Sequence, residues 1–425
     1  MSPATTTESP YAWWRLVVSL VLMTLGGVGM YSVTVVLPRI QADFGVDRGA
    51  ASLPYTLTMV GFGVGGILMG KLSDRFGVMV PVLGGAVGLG LGFIAAGAAT
   101  TLWQFSLAQG LLIGLLGTSA TFAPLVADTS RWFDRRRGIA LAICMSGNYV
   151  AGAIWPPVTQ HFIDHGGWRE AYTFIGVFCL LTMLPLALVL RRRPPPEAAP
   201  VPVAAPASAT VAQGDRPLGL SPGTLQALLC VAGVSCCVAM SMPQVHIVAY
   251  CTDLGFGAAR GAEMLSVMLG MGVASRLISG WISDRIGGLR TLLLGSVLQG
   301  VALLMFLPFD GLVPLYLISG LFGLFQGGIV PSYALIVREH FAPMQAGVRV
   351  GTVLMATLLG MALGGWMSGA IFDLTGSYQA AFLNGIGFNL LNVSIVFFLL
   401  RRARARGIGL GRSSQGMVNT VSTPV

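Results

Sequence analysis

The sequence predicts an all-α integral membrane protein with twelve transmembrane helices in two six-helix, pseudo-symmetric bundles. Three observations predict it. Hydrophobic residues make up 54% of the 425 and charged residues 10%, with a mean hydropathy of +0.78, too little polar surface to cover a soluble globule of this length. Residues 70–77 read Gly-Lys-Leu-Ser-Asp-Arg-Phe-Gly and residues 280–287 read Gly-Trp-Ile-Ser-Asp-Arg-Ile-Gly. The two copies lie 210 positions apart, about half the chain, which marks a unit used twice. Between them, residues 191–221 open with Arg-Arg-Arg-Pro-Pro-Pro and continue rich in Ala, Pro and Val, the composition of an extended, solvated linker.

A run of about 20 apolar residues crosses a hydrocarbon core, and twelve such runs follow in order. The first, 15–38, holds Tyr31, and the polar residues before Arg15 lack the basic region and cleavage site of a signal peptide, so this span is expected to be retained. The second, 51–72, ends in the first motif copy, with Asp74 and Arg75 in the turn. The third, 79–99, carries Gly84, Gly88 and Gly92 at the four-residue spacing that lets helix backbones approach. The fourth, 102–126, leads to Arg131. The fifth, 138–160, follows Arg135, Arg136 and Arg137 and carries Asn148, and the sixth, 170–190, precedes the linker. The seventh, 222–250, contains His246. The eighth, 261–283, contains Arg276 and ends in the second motif copy, with Asp284 and Arg285. The ninth, 289–308, and the tenth, 312–337, with Gln326 and Tyr333, lead to the eleventh and twelfth at 347–371 and 379–400. The expected domains are therefore a bundle over 1–190, a cytoplasmic linker over 191–221, a second bundle over 222–400 and a cytoplasmic tail over 401–425.

With the N-terminus in the cytoplasm, twenty of the 25 Lys and Arg fall on that side and four, Arg39, Arg48, Arg169 and Arg260, fall outside. That asymmetry places both termini in the cytoplasm and accounts for the net charge of +9 without nucleic acid. The six cysteines lie mostly inside apolar runs with no metal-ligand spacing, as small core residues do. No nucleophile elbow, Walker loop, zinc-helix motif or dinucleotide fingerprint is present, so no enzyme, metal or cofactor is expected.

Arg276 is the one basic residue well inside a span. Burying it there costs about 3 kcal/mol or more. Eight residues, about 12 Å of helix, separate it from the loop at Asp284, too far for easy snorkelling. All sixteen Asp and Glu fall in loops, tails or helix ends, so a structural partner is hard to find. A guanidinium presents a planar fork that matches a carboxylate with two parallel hydrogen bonds.

The repeated G-x-x-S-D-R-x-G pattern resembles the loop motif of the major facilitator superfamily, a duplicated fold of secondary carriers. Residues 131–147, from Arg-Trp-Phe-Asp-Arg-Arg-Arg to Cys-Met-Ser-Gly, and residues 243–254, Pro-Gln-Val-His-Ile-Val-Ala-Tyr-Cys-Thr-Asp-Leu, resemble the bacterial monocarboxylate porters near the oxalate/formate exchangers. The resemblance implies a monomeric carrier in the plasma (inner) membrane of a bacterium, surrounded by lipid and binding a small carboxylate, lactate- or pyruvate-like, with or without protons. It implies that Asp74, Arg75, Asp284 and Arg285 form a latch holding the outward-open state, and that Arg276 holds the substrate carboxylate. Tyr31 and Tyr333, on helices that line the cavity in this superfamily, and Asn148 and Gln326 are expected to complete the site.

Animal monocarboxylate porters carry an aspartate one turn before the arginine and a lysine on the first helix. Here those positions are Gly272 and Tyr31. His246, with an imidazole that exchanges protons near neutral pH, is then the candidate for proton coupling; a proton carried by the substrate, and anion exchange without protons, are the other routes. A drug/proton antiporter of the same fold is a further alternative, although antiporters favour a buried acid and this chain offers a buried base.

Overall fold

The computed structural model describes residues 8–133, 135–192 and 217–406. The expected linker, for residues 193–216, and the expected tail, for residues 407–425, lie outside the described residues. Among the described residues every regular element is helical. Eleven are long and apolar enough to cross a membrane, and one of these counts twice. Arg137–Val189 would measure about 80 Å if straight, against about 30 Å of hydrocarbon. It turns at Gly167, whose φ of 81° and ψ of 166° are not helical, so residues 137–166 and 168–189 are separate crossings.

The twelve helices are α1 (Pro10–Phe44), α2 (Arg48–Phe76), α3 (Met79–Gly97), α4 (Leu102–Trp132), α5 (137–166), α6 (168–189), α7 (Pro222–Asp253), α8 (Ala258–Ile286), α9 (Gly288–Met305), α10 (Leu312–His340), α11 (Pro343–Thr375) and α12 (Tyr378–Ala405). The packing repeats between halves. In the first, α1 packs on α5, α2 on α4 and α3 on α6; in the second, α7 packs on α11, α8 on α10 and α9 on α12. Glycine sets the closeness of these contacts: a Cβ on Gly61 or Gly65 of α2 would overlap the carbonyls of Gly110 and Leu115 on α4. Small residues at such seams replace the missing hydrophobic drive between helices in lipid. The Gly110 and Leu115 carbonyls belong to a π-helical stretch, Ala108–Thr118.

The duplicated motif has a local physical cause. Gly77 and Gly287, the last residues of the two copies, adopt φ of 86° and 82° with ψ of 163° and 164°, and their amides donate to the carbonyls of Ser73 and Ser283 at 2.8 and 2.9 Å. Only glycine takes that backbone without a Cβ penalty. The motif therefore stops α2 and α8 at equivalent points and turns the chain into α3 and α9. We refer to this side of the molecule as the motif face.

The six cysteines are all free, five of them buried.

Candidate functional site

The halves meet most extensively along two seams, α2 against α11 and α5 against α8, with α1 also touching α7. Each seam is closed on the side opposite the motif face and parts toward the motif face. On α2 and α11, Gly369 lies against Arg48 and Ser52, Gly365 against Tyr55, and Gly63 against Met355. Further along the same stripes, Gly66 and Gly70 on α2 and Gly347 and Gly351 on α11 have open space beside them. On α5 and α8 the Ser266 hydroxyl donates to the Ala153 carbonyl, Gly272 faces Tyr149, and Arg276 reaches Met145. Beyond them Gly138 and Gly280 again face open space. A cavity thus opens toward the motif face, and Arg276 stands where the α5–α8 seam ends.

The Arg276 guanidinium donates one bond, from Nη1 to the Met145 carbonyl at 3.3 Å, and lies over the Tyr149 ring at 4.5 Å. Its Nε is buried without an acceptor, and no carboxylate pairs with it among the described residues. Tyr149 went unrecognised in the sequence as a site residue. A Cβ on Gly272 would overlap its ring, so the absent side chain at position 272 is what admits an aromatic ring beneath the arginine. Two further polar atoms, at the contact of α8 with α10, are buried and unsatisfied, Ser275 Oγ and Gln326 Nε2. The α10 backbone at Gly327 runs flush against Gly272 and Ser275, which puts Gln326 beside the same turn of α8. Its Oε1 accepts from Gln244 Nε2 at 3.0 Å. Unsatisfied buried donors are costly, and Arg276 Nε is one of them.

Tyr31 is buried where α1 meets the α5–α8 seam: a side chain on Gly152 would meet both its ring and Leu269. Asn148 is half-buried and turns its Oδ1 toward Gly27 of α1. Tyr333 differs from expectation. It is fully buried inside the second bundle, its hydroxyl donates to Asn392 Oδ1 at 2.8 Å, and Asn392 in turn donates to Ser296. It packs α10 onto α9 and α12 rather than lining the cavity.

His246 is also placed elsewhere. It is fully buried, with Nε2 2.8 Å from the Gly365 carbonyl and Nδ1 3.2 Å from the Tyr378 hydroxyl. Since a carbonyl can only accept, Nε2 carries the proton and Nδ1 accepts from Tyr378. The Tyr378 oxygen accepts from Arg48 Nη1 at 3.0 Å. Arg48 is the centre of the closed face. Two of its nitrogens pair with Asp253, its Nε donates to Gln41 at 3.0 Å, and its charge lies 4.2 Å from the Phe372 ring centre. Asp373 accepts from the Arg48 and Gly49 amides at 2.9 and 2.6 Å, capping the start of α2 with a charge from the other half. The sequence offered a signal for this cluster: opposite charges at helix ends on the same side, Arg48 against Asp253 and Asp373.

The expected latch does not bridge the halves. Asp74 accepts from Arg131 of α4, in its own bundle, at 3.1 Å, with both side chains more than half exposed. Arg75 lies over Phe76 and Arg285 over Trp281. Asp284 forms no ion pair among the described residues. With the seams parted at this face, the motif residues have no partner across them to hold.

The chain matches the family model of the Major Facilitator Superfamily over residues 18–320 and 267–417. It is 32% identical over 361 residues to human monocarboxylate transporter 11, covering 78% of this chain and 70% of that protein. It is 29% identical over 330 residues to bovine monocarboxylate transporter 13, covering 77% and 75%. Among solved structures it resembles a mutant of the nucleoside transporter NupG, with a TM-score of 0.70, 14% identity, and 92% and 99% of the two chains covered. It also resembles a bacterial homologue of the human lysosomal transporter Spinster in an inward-facing, occupied conformation, with a TM-score of 0.66, 15% identity, and 96% and 100% covered. Twelve crossing helices, two bundles with matched packing and a cavity between them agree with those matches: the chain belongs to the major facilitator superfamily and is a membrane transporter, not an enzyme.

Proposed function

We propose that this protein moves a small monocarboxylate, lactate- or pyruvate-like, across the plasma (inner) membrane of a bacterium by alternating access of residues 1–190 and 222–400. The single observation that carries the reading is Arg276: a guanidinium at the inner end of the cavity with an unsatisfied Nε, no carboxylate partner among the described residues, and an aromatic ring holding its plane. A substrate carboxylate supplies the missing acceptors in a geometry that the fork prefers. The names of the similar proteins support the same substrate class. The distribution of basic residues supports a cytoplasmic motif face, with the cavity opening inward. Tyr31, Tyr149, Asn148 and Gln326 are the candidates for orienting the bound anion.

The missing acid at Gly272 favours a second mode, organic-anion exchange. A monoanion bound to Arg276 forms a neutral pair, whereas the empty carrier returns with a bare buried charge. Exchange should therefore outrun net uptake unless a proton carrier such as His246 intervenes.

Uptake of lactate, pyruvate, acetate, formate and oxalate into proteoliposomes, with and without a pH gradient, tests the proposal. Arg276→Lys is expected to lose about 10- to 100-fold in apparent affinity, the worth of a lost charge-assisted bond of about 1.5–3 kcal/mol, because a point charge cannot reproduce the fork. Monodisperse Arg276→Lys protein with unchanged uptake would refute the site.

A further inference from the structure

We propose that the motif face of the first bundle holds a second anion site, one that binds the phosphate of an anionic phospholipid and is separate from the cavity between the bundles. A cavity of about 180 Å³ lies between α1, the α2–α3 turn, the end of α4 and the end of α6. Four guanidiniums and two carboxylates stand in or beside it. Arg15 is spent: its fork pairs with Asp128 at 2.7 and 3.0 Å, and its other donors reach the Leu190 and Arg192 carbonyls at 3.2 and 3.1 Å. Arg131 is held by Asp74 on the rim. Arg191 and Arg192 remain, both exposed, the Arg191 side chain without a hydrogen bond or ion pair among the described residues and Arg192 stacked over the Tyr11 ring at 4.7 Å. With Asp128 in the lining and Asp74 beside it, an excess of two positive charges remains, on the two arginines whose guanidiniums have no carboxylate partner among the described residues.

A phosphate is the anion class that an arginine pair takes, and the surroundings decide its source. Exposed apolar side chains flank the cavity on the bilayer side: Phe76 at the end of α2, Val80 on α3 and Leu188 on α6. A free phosphate has no use for such a border. A phospholipid does, since its headgroup would occupy the polar cavity while its acyl chains ran down the α3–α6 surface, as basic pockets between transmembrane helices accommodate anionic headgroups. The site also touches the transport machinery, because the end of α2 and the α2–α3 turn that wall it carry Asp74 and Gly77 of the motif.

The test uses the full chain, extracted and reconstituted with phosphatidylcholine alone or with added phosphatidylglycerol, with bound lipid counted by native mass spectrometry. Wild-type protein should retain phosphatidylglycerol over phosphatidylcholine. Arg191→Gln with Arg192→Gln should weaken that retention about 25-fold, the worth of two arginine–headgroup contacts. The matched pair Arg401→Gln with Arg402→Gln, at the equivalent end of α12, should change it by no more than about threefold. Unaltered elution and thermal unfolding in both double variants show that folding is intact. Equal losses in the two variants would overturn the site in favour of diffuse attraction to basic ends, and displacement of phosphatidylglycerol by inorganic phosphate at low millimolar concentration would overturn the lipid as its occupant. None of these readouts depends on Arg276 or on transport.

Discussion

Arg48 and Arg276 are both arginines of the inter-bundle seams, and their surroundings are opposite. Arg48 is tied by Asp253, Gln41 and Tyr378 and is 7% exposed. Arg276 has one bond to a backbone carbonyl and an Nε with none. Arg15, in the interior of the first bundle, resembles Arg48, with Asp128 in its fork. Arg15 and Arg48 are buried and Arg276 is half-buried, so depth of burial does not mark the binding site. What separates Arg276 is unspent donor capacity. An arginine whose donors are all used holds the protein together, and one whose donors are left open is arranged for a partner that comes and goes.

The comparison predicts different failures. Arg48→Gln should give the largest conformational effect: it strips Asp253 and Tyr378 of a charged partner, each such bond being worth about 1.5–3 kcal/mol, and so shifts the closed-to-open ratio of the face opposite the motifs by at least about tenfold. Alkylation of a cysteine placed at Ser52, fully buried against Gly369 in the closed seam, would report it. Unchanged labelling would mean that Arg48 is not what keeps that face shut.

Gly272→Asp should sharpen the contrast from the other side by making Arg276 resemble Arg48. The new side chain displaces the Tyr149 ring, and its carboxylate, one turn before Arg276, takes up the free donors. Anion uptake at pH 7.5 should fall about tenfold and recover as the pH is lowered, because protonating the aspartate releases the guanidinium. A pH profile parallel to that of wild type would argue against competition for the same donors.

The smallest effect expected is that of His246→Gln. Glutamine keeps a donor for the Gly365 carbonyl and an acceptor for Tyr378, so closure should be little changed. Stimulation of net uptake by an inward pH gradient should disappear while exchange persists, provided His246 couples protons through the Arg48–Tyr378 chain. Equal loss of both modes would assign His246 a structural role only.

The helices, their number and the duplication were legible because bilayer thickness imposes a run length, and because the motif ends α2 and α8 by a local rule that glycine alone satisfies. Arg276 was legible for a related reason: a lone mid-span charge must be compensated. For Arg48 the sequence offered only opposite charges at helix ends on the same side; the pairing itself was not legible, since Asp253 and Asp373 lie 205 and 325 residues away and only the packing of the two halves joins them. Tyr333 was misplaced because a helix buried on several sides gives no periodicity to say which face meets the cavity. Tyr149 escaped notice because its role depends on the absence of a side chain at Gly272 across the seam.

The claim that Arg276 is open to a carboxylate while Arg15 and Arg48 are not can be measured directly by site-resolved modification with phenylglyoxal, which attacks unpaired guanidiniums. Peptide mapping of the reconstituted protein should show Arg276 modified and Arg15 and Arg48 unreacted. A transported monocarboxylate should slow modification at Arg276 alone, by about tenfold when present at ten times its Kd. Modification at Arg276 that proceeds at the same rate with saturating substrate would contradict the account.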